Sequence, residues 1–159
     1  MNLLMILVIC AAVLALAFAA FNFFKVKKMP EGTEQMSEIA SAIRVGANAF
    51  ISYEYKVLYT VVAVVAVIMA IVTTWHAALA LLIGSIMSGC AGMIGMKIAT
   101  YANVRVSNKA RETEDIGETV KVAFRGGSVM GLCVGGFALL GFVLCGLGTA
   151  TSIRKHLNV

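Results

Sequence analysis

Four long apolar runs dominate this sequence and most constrain what it can fold into. They cover about residues 3–24, 57–72, 77–100 and 126–147. About 20 helical residues, each rising 1.5 Å, cross the roughly 30 Å hydrocarbon core of a bilayer. An unpaired strand in lipid would leave its backbone polar groups without partners. Each run is therefore predicted to be a transmembrane helix, including the Val-rich second run.

The composition excludes an ordinary soluble domain. Hydrophobic residues make up 60% of the chain and charged residues 13%, against roughly 45–50% and about 25% in soluble domains. A soluble fold of this length cannot bury so much apolar surface. The expected fold class is an all-α integral membrane protein, with one domain over residues 1–159.

A cleaved signal peptide is the alternative interpretation of the first run, because Ala15 and Ala17 begin motifs that resemble small-residue cleavage sites. Signal peptides carry a basic segment before a short apolar one. Here nothing basic precedes the run, and lysines follow it at positions 25, 27 and 28. The pattern favours a retained helix.

Two polar stretches, about residues 25–56 and 101–125, are predicted to be loops that contain amphipathic helices. In the first, Pro30, Glu31 and Gly32 interrupt the chain before a helical pattern that begins near Thr33. Apolar residues then recur every three or four positions, which gives the helix one apolar stripe. The charges of this helix, at Glu34, Glu38 and Arg44, are expected to form a solvated face.

Basic residues predict the orientation. All but two of the 13 Lys and Arg residues lie in the stretches 25–56 and 97–125, and none lies in the turn at 73–77. Because Lys and Arg are retained on the cytoplasmic side, both long loops are expected there and both termini outside, in a multi-pass protein of the cell membrane. The same pattern accounts for the net charge of +5, so no nucleic-acid partner is expected.

Chemistry-bearing residues are sparse. The central portions of the four spans contain no Asp, Glu, Lys, Arg or His, which are the groups that ion pathways normally use. The one acidic cluster, residues 112–115, is expected to be a solvated loop, and His76 an interfacial residue in the turn. The four cysteines are expected to pack as small apolar residues. No catalytic, cofactor-binding or metal-binding residue is predicted.

Small residues spaced four apart predict close helix packing in the third and fourth spans, because such ridges let helix backbones approach each other in lipid. The two ridges are Gly84, Ser88 and Gly92, and Gly127, Gly131 and Gly135.

Three motifs go beyond generic membrane composition. They are GTEQMSEIA at residues 32–40, GMKIAT at 95–100 and VAFRGG at 122–127. In the order and spacing of these motifs, the chain resembles the amino-terminal part of the membrane-bound pyrophosphatases that pump protons or sodium ions. The resemblance implies a larger helical protein, usually a homodimer, that hydrolyses pyrophosphate with magnesium at a cytoplasmic site. For the full-length member, the resemblance also implies potassium or sodium as further ions.

Family members continue with further helices, whereas this chain turns polar near Thr149 and stops at Val159. We therefore expect a truncated member that binds no cofactor and hydrolyses no pyrophosphate alone. Its expected partners are the lipid bilayer and the remaining pump helices or a second copy, with pyrophosphate bound only in a complete protein. The alternative is a stand-alone four-helix membrane protein, either an assembly protein or a small transporter-like module, without enzymatic activity.

Overall fold

Four long α-helices make up the described part of the chain. A computed structural model describes residues 3–157, and the side chains of residues 3–148. The helices are α1 (Leu3–Lys27), α2 (Glu34–Val72), α3 (Trp75–Thr113) and α4 (Ile116–Leu157), and residues 3–157 contain no strand. Each helix includes a stretch that is long and apolar enough to cross a membrane. The all-α integral membrane fold with four spanning helices is confirmed.

The polar stretches do not form separate loop helices, because each is continuous with a span. α2 and α3 contain 39 residues each, so each is about 58 Å long. That length is nearly twice the hydrocarbon thickness of a bilayer. The continuous helix keeps its backbone hydrogen bonds as it leaves the apolar region, so the amphipathic segments extend the bundle.

Short, capped connections join the helices. Thr33 and Thr74 are the N-cap residues of α2 and α3, and their side chains accept hydrogen bonds from the backbone N–H groups three residues ahead. Such caps satisfy donors that a helix start leaves without partners. Glu114 ends α3 with φ at 50°, and the Asp115 carboxylate accepts a 2.7 Å hydrogen bond from the N–H of Gly117 in the first turn of α4.

The packing order of the helices differs from their order in the chain. α4 packs against both α1 and α3, and α2 packs against α3 alone among the described helices. α1 also touches α3, so α1, α3 and α4 enclose a small core. Its buried members are Ala19, Val26, Ala91, Ile98, Ala102, Val129 and Cys133.

The six-residue link between α1 and α2 lies at the same end of the bundle as the connection between α3 and α4. We call this the polar end; the Thr73–Thr74 connection lies at the opposite end. The polar end gathers residues from the two charged stretches of the sequence, because α1 ends there, α2 begins there, and α3 and α4 meet there.

Glycines do bring the helices together, but not the ones that the ridge pattern predicts. A Cβ atom added to Gly127, Gly131 or Gly135 would meet nothing within 4 Å. One added to Gly126 would lie 2.7 Å from the Cβ of Ala102, and one added to Gly136 would lie 2.8 Å from the Leu16 side chain. The predicted ridge on α4 is therefore wrong as a contact inside this bundle, since α1 and α3 pack beside it.

The ridge on α3 is partly wrong as well. A Cβ on Gly84 would meet nothing within 4 Å, whereas one on Gly92 would lie 2.7 Å from the Tyr55 hydroxyl oxygen. That hydroxyl donates a 2.8 Å hydrogen bond to the backbone carbonyl of Gly89. Gly92 thus makes room for Tyr55 of α2, and the hydrogen bond from that tyrosine to Gly89 fastens α2 to α3.

Three smaller expectations are corrected. His76 lies within the first turn of α3 rather than in the connection, and its ring centroid is 4.0 Å from that of Trp75. Cys133 is buried as expected, but Cys10 and Cys90 are exposed on the bundle surface. The helical backbone of α4 continues to Leu157 through the stretch that was expected to be a polar tail; the side chains of this stretch lie outside the described residues.

Large apolar faces remain uncovered by this chain. Exposed side chains include Leu14, Phe18 and Phe21 on α1 and Phe142 on α4. In water such surfaces would drive aggregation. They fit an environment of lipid or of neighbouring transmembrane helices, which agrees with the membrane fold.

Candidate functional site

A buried arginine organises the polar end. Arg105 belongs to the part of α3 that the sequence predicts to be cytoplasmic. The residue is only 5% exposed. Its Nε donates to the carbonyl of Met29 at 2.9 Å, and its Nη2 donates to the carbonyl of Lys27 at 2.9 Å. The last carbonyls of a helix have no intrahelical partner and carry partial negative charge. Arg105 therefore caps α1 from another helix.

The carboxylate of Glu31 joins this arginine to α2. Arg44 donates two hydrogen bonds to Glu31, from Nη1 to Oε1 at 2.8 Å and from Nη2 to Oε2 at 3.1 Å. Ser37 donates a third to Oε2 at 3.1 Å, and Arg105 Nη2 lies 3.1 Å from Oε1. A bidentate arginine–carboxylate pair fixes direction as well as charge. The link between α1 and α2 is thereby held to both α2 and α3.

These contacts change the protonation of the carboxyl group. The hydrogen bonds from Arg44 lower the pKa of Glu31 below its ordinary value, with smaller contributions from Ser37 and the charge of Arg105. The same pair raises the pKa of Arg44. Both groups therefore stay ionised near neutral pH, as an ion pair that bridges two helices requires.

An aromatic ring lies at the centre of the cations. The guanidinium carbons of Arg44 and Arg105 are 5.2 and 5.5 Å from the ring centroid of Tyr101, and the Lys27 ammonium is 5.5 Å away. Cations within about 6 Å of an aromatic face are attracted by its quadrupole. Phe23 meets the same ring edge-on, with centroids 6.2 Å apart. The tyrosine thus offsets the crowding of like charges.

A second buried polar residue lies next to the link. Asn108 is 2% exposed, accepts a hydrogen bond from Arg111 and donates one to Glu112. A Cβ added to Gly32 would lie 2.5 Å from the Asn108 amide oxygen, and the φ of Gly32 is 96°. Only glycine meets both requirements without strain. The position of Gly32 therefore explains why the helical backbone is interrupted between α1 and α2.

We refer to Glu31, Arg44, Tyr101 and Arg105 together as the polar clamp. Sequence reasoning assigned no site residue, and it treated Arg44 as part of a solvated face; that expectation is wrong, since Arg44 binds Glu31. Glu34 and Glu38 are exposed, as expected. The available signal was Arg105 itself, an arginine set among apolar residues. Its partners in the α1–α2 region, Lys27, Met29 and Glu31, lie more than 70 residues away in the chain.

The polar clamp holds chain segments together through directed hydrogen bonds and ion pairs. Its arginines are donors that do not deprotonate in proteins, and its carboxylate is held by them. Every buried side-chain nitrogen and oxygen in the described residues has a hydrogen-bond partner. The arrangement can hold three chain segments in register.

Magnesium, which the resemblance implies for the full-length protein, finds no ligand set in the described part of the chain. No three His, Cys, Asp or Glu side chains converge among those residues. In the acidic cluster 112–115, Glu112 accepts from Asn108 and Asp115 caps α4. These carboxylates have structural roles, so they do not fit a shared metal ion.

The fold and the polar clamp define an integral membrane protein whose spanning helices are fastened at one end by buried charge. The family of inorganic H+ pyrophosphatases matches residues 13–158. The chain belongs to this family.

Named relatives support the same assignment. The K(+)-stimulated pyrophosphate-energized sodium pump of Thermotoga maritima is 56% identical over 130 residues, which cover 82% of this chain and 18% of that protein. A K(+)-insensitive pyrophosphate-energized proton pump 2 of Moorella thermoacetica is 40% identical over 130 residues, covering 81% and 19%. A K(+)-insensitive proton pump of Methanosarcina mazei is 39% identical over 137 residues, covering 82% and 20%. The chain therefore spans about a fifth of the length of these relatives.

Proposed function

We propose that this chain supplies scaffold helices to an ion-translocating inorganic pyrophosphatase, which couples pyrophosphate hydrolysis to the movement of protons or sodium ions. Family membership supports the activity of the whole protein, because the relatives are named as pyrophosphate-energised pumps. The chain itself contributes no catalytic residue. Magnesium and pyrophosphate, with potassium or sodium as further ions, would be held by helices that correspond to the rest of the relatives.

The observation that carries this proposal is the contrast between a satisfied polar end and uncovered apolar faces. The clamp binds α1, α2 and α3 to one another through Arg105 and Glu31. Large apolar side chains on α1 and α2 meanwhile face outward, among them Phe21 and Ile68. A scaffold needs both features: helices held in fixed register, and apolar surface left for lipid and for further helices.

The orientation in the membrane is part of the proposal. The polar end would face the cytoplasm and the Thr73–Thr74 connection the outside of the cell membrane, because Lys and Arg concentrate at the polar end. Both ends of the chain would then lie outside. The remaining pump helices and a second copy, as a homodimer, would be its protein partners.

A chimera tests this function. This chain would replace the matching segment of the Thermotoga maritima sodium pump, and pyrophosphate hydrolysis and sodium uptake would be measured in inverted membrane vesicles. We expect hydrolysis and uptake from the chimera, and no hydrolysis from this chain alone. An Arg105→Ala chimera should assemble poorly, whereas Lys97→Ala should not, because Lys97 is exposed and outside the clamp.

Two outcomes would contradict the proposal. Hydrolysis of pyrophosphate by this chain alone would show that it carries its own catalytic centre. A chimera that inserts and folds, but hydrolyses no pyrophosphate, would show that these helices do not support the pump.

A further inference from the structure

A cavity of about 410 Å³ lies at the polar end, between the α1–α2 link, α3 and α4. It is separate from the carboxylate of the polar clamp, although Arg105 forms part of its wall. Its charged lining residues are four cations and two carboxylates: Arg105, Lys109, Glu112, Glu118, Lys121 and Arg125.

Ion pairs account for one carboxylate and two of the cations, and the second carboxylate, Glu112, accepts a hydrogen bond from a neutral amide. Glu118 accepts a 2.7 Å hydrogen bond from Lys121, which lowers the pKa of Glu118. Glu112 accepts from the Asn108 amide at 2.9 Å. Arg105 directs its donors to the carbonyls of Lys27, Met29 and Tyr101 and to Glu31.

Two cations of the cavity have no ion-pair partner in the part of the chain whose side chains are described. Among residues 3–148, neither Lys109 nor Arg125 forms an ion pair within 4 Å. Arg125 is half-buried, and Lys109 lies near enough to Glu118 to lower the pKa of that carboxyl. The cavity thus presents an excess of positive charge in a partly enclosed space, where charge is screened less than on an open surface.

The depth of the cavity identifies the class of ligand. Arg125 directly precedes the apolar run 126–147, and Arg105 binds the carbonyl of Lys27, just beyond the apolar run of α1. The cavity therefore begins at the boundary between hydrocarbon and water, where Arg125 lies, and extends from there along the polar parts of α3 and α4. Lipid phosphates lie at this depth, and basic pockets between transmembrane helices bind anionic headgroups.

We propose that this cavity binds a phosphate-bearing anion, and that its position at the membrane boundary favours the phosphodiester of an anionic lipid over free phosphate. Arg125 would bind two phosphate oxygens with its planar guanidinium group, and Lys109 would add a point charge from α3. The bound phosphate would join α3 to α4 across a gap that protein contacts leave open. This inference does not depend on the pump function.

Native mass spectrometry of the full chain tests the proposal. The chain would be released from nanodiscs that contain equal amounts of phosphatidylglycerol and phosphatidylcholine, and the retained lipids would be counted. We expect selective retention of phosphatidylglycerol. Each removed charge near a membrane surface is worth about 1 kcal/mol, so Arg125→Gln and Lys109→Gln should each weaken retention about fivefold. Lys97→Gln is the matched control. Lys97 is exposed, belongs to α3 like Lys109, and does not line the cavity.

A competition with inorganic phosphate distinguishes the two sources of the anion. If millimolar phosphate leaves phosphatidylglycerol bound, the lipid assignment stands. If phosphate itself binds, and Arg125→Gln and Lys109→Gln weaken that binding, the anion site stands and the lipid preference is overturned. If retention is equal for both lipids, or falls equally in Lys97→Gln, and phosphate does not bind, the whole proposal is overturned. Lys109→Gln keeps the test valid should Arg125→Gln fail to insert.

Discussion

The polar end and the apolar middle of this bundle are held together by different kinds of contact. At the polar end, Arg105 and Glu31 make directed bonds that reach across more than 70 residues of chain. In the middle, Gly136 allows the Leu16 side chain of α1 to approach α4 closely. Lipid provides no hydrophobic drive between helices, so dispersion and shape hold the middle together. The directed bonds decide which segments meet, and the glycines decide how closely they pack.

Replacement of Arg105 is expected to have the largest effect on stability, and this effect acts on the polar end. Arg105→Met removes the buried charge, leaves the carbonyls of Lys27 and Met29 without donors, and removes one partner of Glu31. Loss of one partner from a buried ionic network costs about 3 kcal/mol or more. We expect the free energy of unfolding, measured by titration with sodium dodecyl sulfate in mixed micelles, to fall by that amount.

Lys97→Met provides the matched control for Arg105→Met, because it removes an exposed cation from the same helix. It should leave the free energy of unfolding within about 0.5 kcal/mol of the parent value. Equal losses in the two variants would mean that the polar end is not held by Arg105.

In the apolar middle, adjacent glycines of α4 give a direct comparison. A Cβ at Gly136 would lie 2.8 Å from Leu16 Cγ and 3.3 Å from the Ala12 carbonyl oxygen, whereas one at Gly135 would meet nothing within 4 Å. Overpacking costs about 1–3 kcal/mol. Gly136→Val should therefore lower the free energy of unfolding by that amount relative to Gly135→Val. Because both variants place the same side chain in the same helix, equal stabilities would mean that the close approach of α1 and α4 does not matter.

The link at the polar end allows a similar comparison on a smaller scale. Gly32→Ala places a side chain at φ 96° and against Asn108, so we expect a loss of about 1–2 kcal/mol. Gly46 lies within α2, and a Cβ there would meet nothing within 4 Å. Gly46→Ala should stabilise the chain by up to about 1 kcal/mol, because alanine is the better helix former. If the melting temperatures of Gly32→Ala and Gly46→Ala shift in the same direction, this prediction is wrong.

The contrast between the two regions also explains what the sequence predicts well. Four spans follow from long apolar runs, because lipid permits only a few backbone solutions. The break at Pro30, Glu31 and Gly32 and the start of α2 after Thr33 follow from local turn and cap chemistry. These features depend on residues that are neighbours in the chain, so the pattern alone contains them.

Contacts between distant segments were not predictable in the same way. The spacing of Gly127, Gly131 and Gly135 marks one face of α4, but nothing in that spacing says which face α1 and α3 will cover. Arg105 likewise gives no local sign that its partners are the last carbonyls of α1. Both depend on how helices far apart in the sequence are arranged, and the whole fold decides that arrangement.

The smallest expected effect concerns the protonation of Glu31. Its pKa is lowered in the folded chain, chiefly by the hydrogen bonds from Arg44. Because the pKa is lowered, the ionised carboxylate stabilises the fold at pH values above about 4.5. This contribution is lost as the pH falls from 4.5 through the pKa of the folded state. The group is partly exposed, so we expect a loss of about 1 kcal/mol or less.

A pH titration of the free energy of unfolding isolates this contribution by comparing the parent with Glu31→Gln. The variant should be less stable than the parent at pH 7, and the gap should close as the pH falls below about 4.5, because the parent carboxylate then becomes neutral too. Glu38→Gln removes an exposed carboxylate from the first turns of α2 and should follow the parent curve. A gap between parent and Glu31→Gln that stays constant down to pH 2.5 would mean that Glu31 acts through its shape and not through its charge, and the polar end would then resemble the apolar middle more closely than its contacts indicate.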